Sequence, residues 1–202
     1  MKGTSEILEQ AIEQLAKLPG TGRKSARRIA LYLLKQNSES VVKLADSLVS
    51  LKKSITRCSI CGVISDGDPC TICSNAKREG EKICVVEESQ DVFLIEQTNE
   101  FRGRYHVLGG VISPLDNIGP DDVRIKQLMQ RVNDDQDPIE EVILALNPDS
   151  EGEATAYYIN KLLKPFDGIK VTRIAYGIPM GTELEFIDEA TLSRAFASRN
   201  TF

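Results

Sequence analysis

EVILALNPDSEGEATAYYI, residues 141–159, is the stretch that decides the fold. Mostly aliphatic residues from Val142 to Leu146 predict a buried strand, and Asn147-Pro148-Asp149 ends it. A helical pattern then starts at once through Ala154, Tyr157 and Tyr158. Acidic groups at the carboxyl end of a strand sit where open α/β sheets place their ligands.

Outward from this stretch the same alternation continues. KICVVEE (82–88), RYHVLGG (104–110) and KVTRIAYG (170–177) read as strands. SQDVFLIEQTN (89–99), DDVRIKQLMQRV (121–132), residues 150–164 and DEATLSRAFAS (188–198) read as helices, while VISPLDNIGP (111–120) reads as loop. Aliphatic strands alternating with helices predict a parallel sheet of about four strands, covered on both faces.

Two strands end in acids: Glu87-Glu88 after the first, and Asp149 with Glu151 and Glu153 after the third. Carboxylates converging from neighbouring strand ends suit Mg2+, which prefers oxygen ligands. A structural reading competes: Ser150-x-x-Glu153 fits a capping box, and acids in a first helical turn are favoured by the helix dipole. Capping accounts for Ser150 and Glu153 but not for Glu87. Between these elements, Cys84 reads as strand core, and His106, the one histidine, as a structural hydrogen-bonding residue.

The net charge of −5 argues at face value against a nucleic-acid partner, but it is unevenly spread. Residues 1–82 carry 14 Lys+Arg against 9 Asp+Glu, and residues 83–202 carry 11 against 21. A basic front joined to an acidic back predicts modules with different partners. The start, MKGTSEILEQ, lacks the apolar core of a secretory signal. No apolar run approaches the roughly 20 residues a membrane helix needs, so a cytoplasmic location without membrane association is expected.

In the basic front, residues 5–17 place Ile7, Leu8, Ala11, Ile12 and Leu15 at helical spacing. LPGTG (18–22) breaks that helix, and RKSARRIALYLLK (23–35) starts another, with Ala26, Ile29, Ala30, Leu33 and Leu34 as its stripe. Gly20 and Gly22 permit a tight turn and a close backbone approach. Amides at the start of the second helix can bind a phosphate. From Lys17 to Lys35 there are six basic residues and no acid, and Arg23, Lys24, Arg27 and Arg28 crowd the helix start. A solvated helix after a glycine loop is the plainer alternative. A third helix, residues 39–53, is expected to contribute Val42, Ala45 and Val49 to the core of a small bundle.

Cys58-x2-Cys61 and Cys70-x2-Cys73, eight residues apart, can present four thiolates to one tetrahedral ion. Disulfides or a redox pair are the alternatives, but a cytoplasmic chain keeps its thiols reduced. With all four positions sulfur, the zinc is structural. So short and polar a segment is expected to have almost no core of its own, and to draw most of its folding free energy from the metal.

Several of these stretches resemble known modules. LAKLPGTGRKSARRIA is similar to the helix-hairpin-helix DNA-binding motif, and the strand order with its acids resembles the Toprim domain of topoisomerases, primases and some nucleases. In that domain a glutamate and an Asp-x-Asp bind magnesium. Glu87 matches the first, with Glu88 as the competing alignment, and Asp149 matches the second aspartate, but Asn147 replaces the first. That loss weakens the case for Mg2+ at Glu87, Asp149 and Glu151, and points to partner binding there instead. The whole order of landmarks resembles the bacterial recombination mediator family RecR: LPGTGRKSARRIA, CSICG…CTIC, VVEE, YHVLGGVISPLDNIGP, LNPDSEGEAT and GIPMGTELEFIDEATL.

The resemblance implies an α/β multidomain chain. A helix-hairpin-helix domain covers residues 1–53, a four-Cys zinc segment 54–79, a Toprim-like domain 80–176, and a packing or oligomerising tail 177–202. It also implies a non-enzymatic, nucleoid-associated protein of bacterial DNA repair. Such a protein binds DNA, with Lys24 and Arg28 as the leading contacts, and assembles as a tetrameric ring. With RecO-type and RecF-type partners it helps load the RecA recombinase onto strands coated by single-strand-binding protein. The competing function is a Mg2+-dependent nuclease or primase-like enzyme using Glu87 and Asp149.

Overall fold

The structure, a computed structural model, describes residues 5–134 and 136–199. The first four residues and the last three of the expected tail lie outside the described residues. The chain divides into two compact units between Ile55 and Thr56.

The first unit holds α1 (Glu6–Leu15), α2 (Arg23–Leu34) and α3 (Ser38–Ser54). Its apolar stripes meet at Ile12, Ala26 and Ala30, with Leu8, Leu15 and Ala16 packed around them. Alanine at the crossing lets α1 and α2 approach closely. α3 is well specified locally: the Asn37 side chain accepts from the Ser40 amide at 2.8 Å, and Lys52 and Lys53 favour its C-terminal dipole. Its expected core residues are nevertheless not in a core. Val42 and Val49 are 55% and 49% exposed, Ala45 is exposed too, and α3 has no buried residue. Periodicity identifies an apolar face but not what covers it.

The second unit opens with a short antiparallel ribbon, β1 (Thr56–Arg57) and β2 (Ile64–Ser65). Then come β3 (Glu79–Val86), α4 (Ser89–Thr98), β4 (Gly103–Val107), α5 (Ile125–Val132), β5 (Glu141–Ala145), α6 (Ser150–Leu163) and β6 (Lys170–Arg173). A 3-10 turn, Leu184–Phe186, and α7 (Glu189–Ala197) close it. The sheet runs β4-β3-β5-β6 with all neighbours parallel, as the alternation predicts.

Because side chains alternate across a strand, β3 feeds two cores. Ile83 and Val85 point to one face, with Val142, Leu144, Leu128 of α5 and Ile159 and Leu163 of α6. Cys84 and Val86 point to the other, with Val92 of α4, Tyr105 and Val107. Cys58, Cys61, Val63 and Cys70 join that second core. The cysteine segment therefore does have a core: it lines one face of the sheet. Each fully buried valine there contributes about 1.5–3 kcal/mol.

Local chemistry moved several boundaries. α5 begins at Ile125 because the Asp122 carboxylate turns the chain first, accepting from the Gly119 amide at 2.8 Å. α6 is capped by Asp149, not by Ser150: the Asp149 carboxylate accepts from the Gly152 amide at 2.8 Å. Ser150 is the first helical residue, and the Glu153 carboxylate turns instead toward Arg173 and Arg194, at 3.5 and 3.4 Å. Both Asp and Ser make good caps, so the sequence pattern is one residue ambiguous.

Candidate metal centre and nucleic-acid interface

The first Cys pair sits on the turn that joins β1 to β2. The Cys58 amide bonds the Val63 carbonyl at 2.8 Å, and the Gly62 amide bonds the Cys58 carbonyl at 2.9 Å. Gly62 has φ +82, and an added Cβ would lie 2.6 Å from the Arg124 Nε and 2.9 Å from the Val107 oxygen, so no larger residue fits. Asp68 ties the second pair to the first, accepting from the amide and hydroxyl of Ser59 at 2.7 and 2.8 Å. The Val107 amide donates to the Cys61 carbonyl at 2.7 Å and anchors the turn to β4.

All four sulfurs are free thiols and lie within 4.8 Å of one another, with Cys61 and Cys70 3.6 Å apart. Zinc–sulfur bonds of about 2.3 Å give a tetrahedron with edges of about 3.8 Å, so the donor set fits the ion. Its electrostatics fit as well. Hydrogen bonding from Cys73 holds the Cys61 thiol at about 5, against the opposing effect of burial. Cys73 is pushed far up by that same hydrogen bond, by burial and by the neighbouring charge at Cys61. Ionising Cys61 thus opposes ionising Cys73, and a bound dication would relieve that opposition. Cys84 stands apart, with burial pushing its thiol up to about 12, and it is a core residue.

Parallel pairing of β3 with β5 sets the ends of the two strands side by side and brings Glu87 to Asn147. The two bond each other, Asn147 Nδ2 donating to Glu87 Oε2 at 2.7 Å. Burial raises the Glu87 pKa, the Asn147 amide opposes that shift, and the charge of Asp149 adds to it. The other acids have protein donors too. Asp149 caps α6, and Glu151 accepts from the Ser113 hydroxyl at 2.6 Å. Glu88 is the N-cap residue of α4, its amide donating to Asp91 at 2.8 Å. Among the described residues the four thiols are the one group whose ligand atoms converge for a metal; Glu87, Asp149 and Glu151 do not. His106 is buried, Nε2 bonding the Arg124 carbonyl at 2.8 Å, which makes it structural as expected.

In the first unit Gly20 has φ +72, a conformation that favours glycine, and makes the turn. Gly22 differs: it is the N-cap of α2 in extended geometry (φ −74), with open space around it, so its contribution is room for an approaching group. No side chain caps α2, which leaves its first amides available to an anion. The four basic residues of this helix start divide into two pairs. Arg23 and Arg27 reach back to Glu9 of α1, at 2.8 and 3.8 Å. Lys24 and Arg28 are exposed and pair with no carboxylate among the described residues. Lys24 and Arg28, with Arg27, Lys35, Leu31 and Tyr32, line a groove of about 560 Å³. Tyr32 was not singled out from the sequence because its apolar neighbours hide it.

Joined in one chain, these features define a class: a basic helical hairpin and a structural four-thiolate segment attached to a Toprim-type parallel α/β domain. Family comparison agrees module by module. Residues 8–52 match the RecR helix-hairpin-helix, 55–75 the RecR four-cysteine zinc finger domain, 81–175 the Toprim domain, and 177–200 the RecR C-terminal region. The recombination protein RecR of Chloroherpeton thalassium is 51% identical over 204 residues, 99% of each chain. Those of Chlorobium limicola and Chlorobaculum tepidum are each 52% identical, over 204 and 203 residues and 99% of each chain. The chain belongs to the RecR family of recombination proteins, and its four-Cys centre is a structural zinc site.

Proposed function

We propose that this protein is a non-enzymatic recombination mediator of bacterial DNA repair that grips DNA through the α1–α2 hairpin. One observation carries the reading. Lys24 and Arg28 are exposed, pair with no carboxylate among the described residues, and stand in the first two turns of α2, whose amide end no side chain caps. Such a site contacts phosphate and reads no bases, which suits a protein that must act on any sequence. The acids of the Toprim-type domain are bound to protein donors, which supports a role as a partner platform rather than a catalytic metal site. In this reading the platform receives a RecO-type protein and a RecF-type one. A tetrameric ring in the bacterial cytoplasm multiplies weak hairpin contacts by avidity, and the assembly helps load the RecA recombinase onto strands coated by single-strand-binding protein.

Lys24→Glu with Arg28→Glu tests the reading. DNA affinity, followed by fluorescence anisotropy across a salt series, is expected to fall at least about tenfold, with a shallower salt dependence. Zinc content and solution mass are expected to stay unchanged. Parental affinity at moderate salt would remove the hairpin from the interface. DNA cleavage or synthesis that needs Mg2+ and is lost in Glu87→Ala would replace the mediator reading with an enzymatic one.

A further inference from the structure

Four thiolates on a zinc dication leave two negative charges in excess, and the site here is largely buried against the sheet. Buried charge of that size requires compensation. Asp68, bonded to Ser59, adds a further negative charge at the same turn rather than removing one.

Three arginines, one at the end of β1 and two from α5 and its N-cap position, stand close to this turn. Arg57, at the end of β1, donates through Nη1 to the Gly62 carbonyl at 3.3 Å. Arg124, just before α5, donates through Nη2 to the Ser59 carbonyl at 3.4 Å, with its Nε buried beside Gly62. Arg131, on α5, donates through Nη1 to the Tyr105 carbonyl at 2.7 Å and lies 3.4 Å from Nδ1 of His106. Tyr105 shares its core with Cys58, Cys61 and Cys70, and Val107 on the same strand holds the Cys61 carbonyl. Arg57 is exposed and Arg124 and Arg131 partly buried; the partly buried Arg78 and Arg104 nearby behave differently, pairing with Glu96 and Asp137. Among the described residues no carboxylate pairs with Arg57, Arg124 or Arg131.

We propose that Arg57, Arg124 and Arg131 form a counter-charge collar for the tetrathiolate zinc centre, neutralising its excess charge in place of carboxylate partners. Their hydrogen bonds go to backbone carbonyls, which fixes the side chains in position without spending their charge on a carboxylate among the described residues. Arg131 lines one cleft with Ser59 and Ile60 of the cysteine turn, which puts that guanidinium on the side of the sheet where the thiolates lie. These are positioning residues, since none supplies a ligand atom. The collar stabilises bound zinc and restrains the nucleophilicity of the sulfurs.

Two measurements on zinc-loaded full-length protein test this: zinc affinity by competition with a chromophoric chelator, and the rate at which iodoacetamide releases zinc. Arg131→Gln keeps a donor and removes the charge, and is expected to lower zinc affinity about 10- to 100-fold, the usual scale for partners behind the ligands. Release by the alkylating reagent is expected to accelerate. Arg131→Lys is expected to remain within about threefold of the parent, because charge rather than shape is what it must supply. Equal loss in the Gln and Lys variants would assign Arg131 to holding β4 and overturn the proposal. Where Arg131→Gln fails to fold, Arg57→Gln with Arg124→Gln decides: weaker zinc binding or faster release supports the collar, and parental affinity with a parental release rate overturns it.

Discussion

Gly152→Ala is a sharp test of how the carboxyl end of β5 is built. Gly152 is buried in the first turn of α6, and its amide donates to the capping carboxylate of Asp149. By helix propensity alone the substitution stabilises, by up to about 1 kcal/mol. The site forbids that gain. An alanine Cβ would stand 2.1 Å from the Asn147 carbonyl oxygen and 3.1 Å from its carbon, both backbone atoms that no rotamer can move. Relieving the clash shifts the loop against α6, at about 1–3 kcal/mol for overpacking and about 1 kcal/mol more for a damaged cap. Strain outweighs propensity, and the net expectation is a loss of about 1–3 kcal/mol. Urea titration followed by circular dichroism, with zinc in excess, measures it. Gly177→Ala serves as comparison, since nothing lies within 4 Å of that position; a change within about 0.5 kcal/mol is expected there. A Gly152→Ala protein as stable as the parent would refute the close-approach reasoning.

Three further expectations concern other parts of the second unit. Burial holds His106 at about 3, with the charge of Arg131 adding to the depression, whereas an unfolded imidazole titrates near 6.5. Between those values the unfolded chain binds a proton that the folded one refuses, so stability falls as pH drops through that window. His106→Gln should flatten this part of the urea-midpoint profile, and equal slopes in both proteins would count against the assignment. Cys70→Ser should lose stoichiometric zinc and cost more than about 3 kcal/mol by opening the sheet face, while Cys84→Ala should keep full zinc and lose about 1–2 kcal/mol; metal analysis with denaturation separates them. Glu153→Gln removes the carboxylate shared by Arg173 and Arg194. Stability should change by less than about 1 kcal/mol, but trypsin should cut near Arg194 sooner; unchanged digestion would mean the pairs do not hold α7.

The elements that were legible in the sequence are those whose signal is local. Alternation in 82–88 and 140–146 specified β3 and β5, and their parallel pairing then placed Glu87 beside Asn147. The two C-x2-C pairs specified by their spacing the shared site where the four thiols meet. What was illegible depends on distance in the chain. Arg57 is far in sequence from Arg124 and Arg131, which stand seven residues apart at the two ends of α5, so the meeting of the β1 arginine with that pair had no local trace. The burial of Cys58 and Cys61 against Val86 and Val107 was hidden in the same way. The split among Arg23, Lys24, Arg27 and Arg28 rests on Glu9, a residue of the preceding helix.

The first unit buries only Ile12, Ala26 and Ala30 among its described residues, while Leu44, Leu48 and Leu51 of α3 stand 47%, 59% and 57% exposed. So small a core leaves the first unit little apolar burial of its own to set against the conformational entropy of ordering three helices. Urea should therefore loosen the hairpin before the sheet, whose two cores are larger. If the proposed contact holds, DNA affinity measured in mild urea reports two equilibria at once, the contact with phosphate and the integrity of the helices that make it.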